Sequence, residues 1–82
     1  MSYQIIYDKP ALKFLRKQPP DQQRRIVEAV HKLPEQGDIK PMTGRPEEYR
    51  LRVGPYRVLY TVREKMLVVQ VLSIGNRGDV YK

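Results

Sequence analysis

From Tyr49 to Arg63 the chain changes character at almost every step. Tyr49, Leu51 and Val53 alternate with Arg50 and Arg52, Gly54-Pro55 interrupts, and Tyr56, Val58, Tyr60 and Val62 then alternate with Arg57, Leu59, Thr61 and Arg63. A period of two sends successive side chains to opposite faces of a pleated strand. Two such runs around a Gly-Pro turn predict an antiparallel hairpin. The apolar set must face a core. Arg50, Arg52 and Arg57 are therefore expected together on the uncovered face, with no carboxylate beside them in sequence.

The other segments supply what covers the first face. Tyr3 to Tyr7 is short, β-branched and aromatic, and predicts a strand. Asp8 before Pro10 predicts a helix start. Ala11, Phe14, Leu15 and Gln18 form one stripe of that helix, which Pro19-Pro20 stops. Asp21 is placed to cap a second helix, Gln22 to Leu33, whose buried stripe is Ile26, Val27, Val30 and Leu33, with Pro34 after it. Residues 34–48 hold Gly37, Pro41, Gly44 and Pro46 and are expected to be a loop. Arg63-Glu64-Lys65 predicts a turn, and Met66 to Ile74 the most apolar and central strand. The order β-α-α-β-β-β predicts one α+β domain over residues 1–82, a helical hairpin on one face of a mostly antiparallel, twisted four-stranded sheet.

Composition narrows the chemistry. With one His and no Cys among 82 residues, disulfides, zinc-thiolate sites, His-rich metal sites, thiol nucleophiles and two-histidine acid–base pairs are excluded. No metal and no cofactor are expected. Any acid–base group must be Tyr, Lys or a carboxylate. The lone His31 adjoins the apolar stripe of the second helix, where a structural role is expected. No apolar run approaches the ~20 residues of a membrane span. The opening Met1-Ser2-Tyr3-Gln4 lacks the features of a signal peptide, so a cytoplasmic protein without membrane contact is expected.

Sixteen Lys and Arg against nine Asp and Glu give a formal net charge of +7, which points to a polyanionic partner. Guanidiniums gathered on one open face repel one another unless an anion is to be bound, and their planar donor forks suit phosphate. Such a face is either an RNA cradle or a solvated surface. Lys13, Arg16, Lys17, Arg24, Arg25 and Lys32 form a second basic surface on the helices, able to grip RNA with salt-dependent affinity or to keep the domain soluble. Tyr49, Tyr56 and Tyr60 belong to the core by the alternation, and Glu47 and Glu48 either reach a substrate or are solvated loop.

The stretch Tyr49-Arg50-Leu51-Arg52-Val53-Gly54-Pro55-Tyr56-Arg57-Val58-Leu59-Tyr60 resembles the core signature of the RelE/ParE superfamily of bacterial toxins, in its RelE-like branch. Ser73-Ile74-Gly75-Asn76-Arg77-Gly78-Asp79-Val80-Tyr81 resembles that family's C-terminal motif, and Ala11 to Lys17 its first helix. The resemblance covers essentially the whole chain. It implies a toxin of a type II toxin–antitoxin system that cuts mRNA in the ribosomal A site, using the RNA's own 2′-OH as nucleophile. The implied partners are a cognate antitoxin and the ribosome with its mRNA and rRNA. A monomer is expected when free, and a hetero-oligomer with antitoxin.

Position by position, the family's basic pair on the first hairpin strand falls on Arg50 and Arg52, its second-strand arginine on Arg57, and its C-terminal arginine and tyrosine on Arg77 and Tyr81. The resemblance makes Arg57, Arg77, Tyr81 and Arg52 the catalytic candidates. Arg50, Arg24, Arg25, Lys13 and Lys17 are the RNA-binding candidates. Well-known relatives carry lysines where this chain has Arg50 and Arg52. Arginine stays protonated, so Arg52 is expected to stabilise charge rather than take a proton. Many relatives carry His where this chain has Asn76, which removes one acid. Tyr81 is the leading proton-transfer group, with stacking on a base or packing on the sheet as its other roles. Arg77 could instead pair with Asp79. Two other functions share the fold: a ParE-like inhibitor of DNA gyrase, and a non-catalytic module that binds RNA or a partner.

Overall fold

A computed structural model of the chain describes residues 3–76. Its elements run β1 (Gln4–Tyr7), α1 (Lys9–Arg16), α2 (Pro20–Val30), β2 (Asp38–Pro41), β3 (Glu48–Val53), β4 (Tyr56–Arg63), a 3-10 turn (Glu64–Met66) and β5 (Val68–Asn76). The sheet has five strands in the order β1-β5-β4-β3-β2, antiparallel throughout except that β1 runs parallel to β5. The α+β class, the helical hairpin and the β3–β4 hairpin match the sequence reading. The fifth strand is a correction: β2 lies inside the expected loop 34–48 and pairs along the outer side of β3. Its own sequence carries little strand signal, because an edge strand is held by its neighbour's unpaired backbone groups and needs one apolar side chain to fix its face. Ile39, half-buried against the core, is that side chain.

The first helix starts where the sequence places it, the second does not, and neither carries a side-chain cap. Asp8 stands at the N-cap of α1 but makes no side-chain cap. Its carboxylate accepts instead from Gln70 Nε2, at 3.0 Å to Oδ1 and 3.3 Å to Oδ2. Asp21 does not cap α2, which begins at Pro20 with Pro19 in the N-cap position. Proline is at home in the first helical turn, where its missing N–H has no partner to lose. The helix also ends at Val30, with residues 31–35 forming turns. Met66 lies in the 3-10 turn and is 68% exposed, so β5 starts at Val68 rather than at Met66.

The core lies between the two helices and one sheet face. Ala11, Ile26, Val30, Val58, Val69 and Val71 are completely buried there. Burying each larger aliphatic side chain stabilises the fold by about 1.5–3 kcal/mol. A register shift between Leu59 and Tyr60 leaves Leu72 as an extra residue, with Leu59 opposite Ser73 and Tyr60 opposite Val71. Strict alternation would put Val71 and Ile74 on opposite faces. The bulge brings both to the helix side, so Val69, Val71 and Ile74 all join the core.

Candidate functional site

The face turned away from the helices is built by the register of three strands. Leu51 and Val53 enter the core, which turns Arg50 and Arg52 outward. On β4, Val58 and Tyr60 enter the core, and Arg57 and Leu59 turn outward. Arg52 and Arg57 are direct cross-strand partners, one pair out from Val53 and Tyr56 and the Gly54-Pro55 turn. Residues so paired hold their Cβ atoms about 4.5–5.5 Å apart, and like charges there repel. Arg50 stands two residues along β3, opposite Leu59. The three hairpin arginines are thus brought together as expected. Arg52 is exposed; Arg50 and Arg57 are half-buried.

Two neighbours were not foreseen. Strand β2 places Asp38 opposite Arg52 and Lys40 opposite Arg50. A carboxylate therefore does stand on this face, and so does a further cation. Reading residues 34–48 as a loop hid both. The signal was the polar–apolar–polar run Asp38-Ile39-Lys40, a single cycle of the period-two pattern. Leu59, grouped with the outward arginines by alternation, is only 4% exposed, so a buried apolar floor adjoins Arg50 and Arg57. Farther along the same face Arg63 Nε donates to Gln70 Oε1 at 3.1 Å, and the Gln70 amide donates to Asp8. That chain fixes the Gln70 side chain and ties β4 and β5 to the start of α1.

Arg77 and Tyr81 lie outside the described residues, as does Asp79. Asn76, the last described residue, is exposed and pairs with Tyr56. Lys13, Lys17 and Arg24 are exposed on the helices, on the other side of the sheet from the arginine face. Arg25 stands between the two surfaces. Its guanidinium covers Gly54 so closely that a Cβ added there would lie 2.7 Å from Nη2.

The tyrosines of the hairpin are structural, as the alternation implies. Tyr49 and Tyr60 stack with ring centroids 5.7 Å apart. Tyr56 meets Phe14 edge-on at 6.0 Å and donates its hydroxyl to Gln18 Oε1 at 3.2 Å. Burial, and secondarily Tyr49, pushes the Tyr60 hydroxyl up to about 12. Burial raises that of Tyr7 as well. Both hydroxyls are protonated at neutral pH and sit on the helix side, so neither serves as a base for the arginine face. His31 closes α2 and is exposed, away from the arginines. Glu48 lies 3.6 Å from Arg45, an ion pair of the surface loop.

Among the described residues no three His, Cys, Asp or Glu side chains cluster as a metal site, and no helix is long and apolar enough to cross a membrane. A cleft of about 1020 Å³ opens at the end of the hairpin opposite the Gly54 turn, lined by Ile39, Glu48, Tyr49, Tyr60 and Glu64 among others; it includes none of the three arginines. The helices pack on the other face of the sheet and do not cover the arginines.

A family described as "ParE toxin of type II toxin-antitoxin system, parDE" matches residues 5–81. The chain is 31% identical to a RelE1 protein of Methanocaldococcus jannaschii, over all of this chain and 98% of that one. Among solved structures it is similar to the archaeal RelE–RelB complex of Pyrococcus horikoshii, with a TM-score of 0.78 and 30% identity over 96% of this chain and 99% of that one. It is also similar to the intact Escherichia coli RelBE toxin–antitoxin complex, with a TM-score of 0.76 and 29% identity over 92% and 96% of the two chains.

Proposed function

The chain belongs to the RelE/ParE superfamily and is a toxin of a type II toxin–antitoxin system, and from that premise we propose that it is a ribosome-dependent mRNA endonuclease. The observation that carries the reading is the Arg52–Arg57 cross-strand pair, with Arg50 beside it, on the face that the helices leave open. Two cations held directly opposite each other repel, and an anion bound between them relieves that repulsion. A phosphodiester is such an anion.

In the proposed reaction the 2′-oxygen of one nucleotide attacks the adjacent phosphorus. The P–O2′ bond forms, the P–O5′ bond breaks, the 2′ proton leaves and the 5′-oxygen gains one. The products are a 2′,3′-cyclic phosphate and a free 5′-hydroxyl. Charge builds on the phosphoryl oxygens as the two P–O bonds exchange. Arg57 and Arg52 are proposed to meet it, as preorganised cations aimed at developing charge usually supply the largest share of such catalysis. Neither takes a proton, because guanidinium keeps its charge. Tyr81 and Arg77 are the sequence's candidates for proton transfer and for further charge stabilisation. Orienting the 2′-OH in line with the leaving oxygen contributes further, and the ribosomal A site is proposed to provide it. The relatives solved as RelE–RelB complexes support a cognate antitoxin as the cellular partner. The site of action is the cytoplasm.

The test is incubation of the purified toxin with ribosomes programmed with a defined mRNA, followed by primer extension. Breaks within the A-site codon are expected with the wild-type chain and not with free RNA. Arg57→Gln is expected to slow single-turnover cutting by about 10²–10³-fold, the scale of losing one preorganised donor to a developing oxyanion. No breaks at stoichiometric toxin, together with inhibition of gyrase supercoiling, would replace this reading with the ParE-like one. Breaks that survive both Arg57→Gln and Tyr81→Phe would place the site elsewhere on the chain.

A further inference from the structure

We propose that an RNA strand held on the arginine face leaves the sheet over Lys40, at its outer edge, while Asp38 closes the neighbouring route. The inference rests on the RNA reading of that face.

Strand β2 is the edge of the sheet, and its register decides which side chains flank the arginines. Ile39 packs against the core opposite Leu51, so Asp38 and Lys40 on either side of it turn to the arginine face. The cations then form a stepped line: Arg57 on β4, Arg52 opposite it on β3, Arg50 two residues along β3, and Lys40 opposite Arg50 on β2. Each sideways step is about 4.5–5.5 Å between Cβ atoms. The lengthwise step is about 6.6–6.8 Å, two residues of strand rise. The line crosses the sheet diagonally and ends at solvent.

The straight route, from Arg57 through Arg52 to the edge, ends instead at Asp38. A phosphate arriving there meets a carboxylate, and like charges held this close repel. The sheet edge thus offers a polyanion one attractive exit and one repulsive exit, a single residue pair apart. Lys40 is exposed and carries a compact charge on a long stem, which suits a phosphate one nucleotide removed from those gripped by the arginine forks.

The probe is a short 2′-O-methyl oligoribonucleotide, which lacks the attacking hydroxyl and so is bound without being cut. Its affinity for the free toxin is measured by fluorescence anisotropy across about 50 to 200 mM salt. Lys40→Gln is expected to flatten the dependence of log K on log salt by ~0.7, the value of one phosphate contact on a single strand. Lys40→Arg is expected to restore the wild-type slope. Asp38→Asn is expected to bind more tightly, most clearly at the low-salt end. A wild-type slope for Lys40→Gln overturns the proposal, and so does an Asp38→Asn affinity equal to or weaker than wild type. Arg52→Gln, measured in parallel, separates the two levels of inference. If it flattens the slope and Lys40→Gln does not, the RNA face stands and the exit lies elsewhere. If neither does, the RNA reading falls with it.

Discussion

Replacing Gly54 by alanine probes the joint between the helices and the arginine hairpin. Gly54 sits at φ +54°, and a Cβ there would stand 2.7 to 2.9 Å from Nη2, Cζ and Nη1 of Arg25. The left-handed backbone costs an L-residue about 1–2 kcal/mol. Stiffening the unfolded chain returns about 0.4–1 kcal/mol. The atoms in the way are the far end of a flexible side chain, which swings aside at little cost because Arg25 is largely in solvent. The net expectation is a destabilisation of roughly 1 kcal/mol, most of it from the backbone, equivalent to a Tm lower by about 4–8 °C in a domain of this size. Urea unfolding followed by circular dichroism should show a lower midpoint and an unchanged m-value. Gly54→Asn should cost less, since asparagine tolerates this region. A cycle of Gly54→Ala with Arg25→Ala should give a coupling below about 0.5 kcal/mol. An unchanged midpoint for Gly54→Ala would refute the backbone argument. A coupling above about 1 kcal/mol would show that the Arg25 contact, and not φ, sets the cost.

Glu47, a non-glycine residue at φ +67° with an exposed side chain, gives the converse: Glu47→Gly should stabilise the domain by about 0.5–1 kcal/mol, read from the same urea midpoint. Ile26, fully buried where α2 meets the sheet, should cost about 2–5 kcal/mol as Ile26→Ala. Because a whole domain has only ~5–15 kcal/mol, much of the near-ultraviolet signal should vanish at 37 °C in that variant, and its full retention would mean the site collapses around the hole. Tyr60 supplies a pH test. Its folded value of about 12 lies above the ordinary 10.0, so its contribution to stability is whole below pH 10 and is lost as pH climbs toward about 12. Stability measured from pH 9 upward should fall less steeply in Tyr60→Phe than in wild type, and parallel curves would contradict the raised value.

The hairpin was legible because every residue in it carries information. A wrong register would have buried Arg50, Arg52 and Arg57 and exposed Leu51, Val53 and Val58, so only one pairing was affordable. Asp38 to Pro41 carried almost none, since pairing with β3 is decided by backbone groups and one isoleucine. Lys40 and Asp38, the two residues that complete the charge pattern of the face, were lost with that strand. Met66 misled for the opposite reason. It looks apolar in sequence, yet Leu67 at φ +54° reverses the chain and leaves the methionine in solvent. Asp8 and Asp21 have the composition of helix caps, but α2 starts on the proline pair and the Asp8 carboxylate finds a better partner in Gln70, a residue near the other end of the chain. No local rule anticipates a partner at that separation.

The parallel pairing of β1 with β5 has a consequence for the order of events at synthesis. Gln4 through Tyr7 align with Val68 through Val71, and β5 also supplies Val69 and Val71 to the core beneath α1. The first of the five strands therefore has no strand to dock on until β5 has been made. Contacts of such sequence separation form late and slowly. A nascent chain of this topology stays without its full sheet until β5 is available to pair with β1.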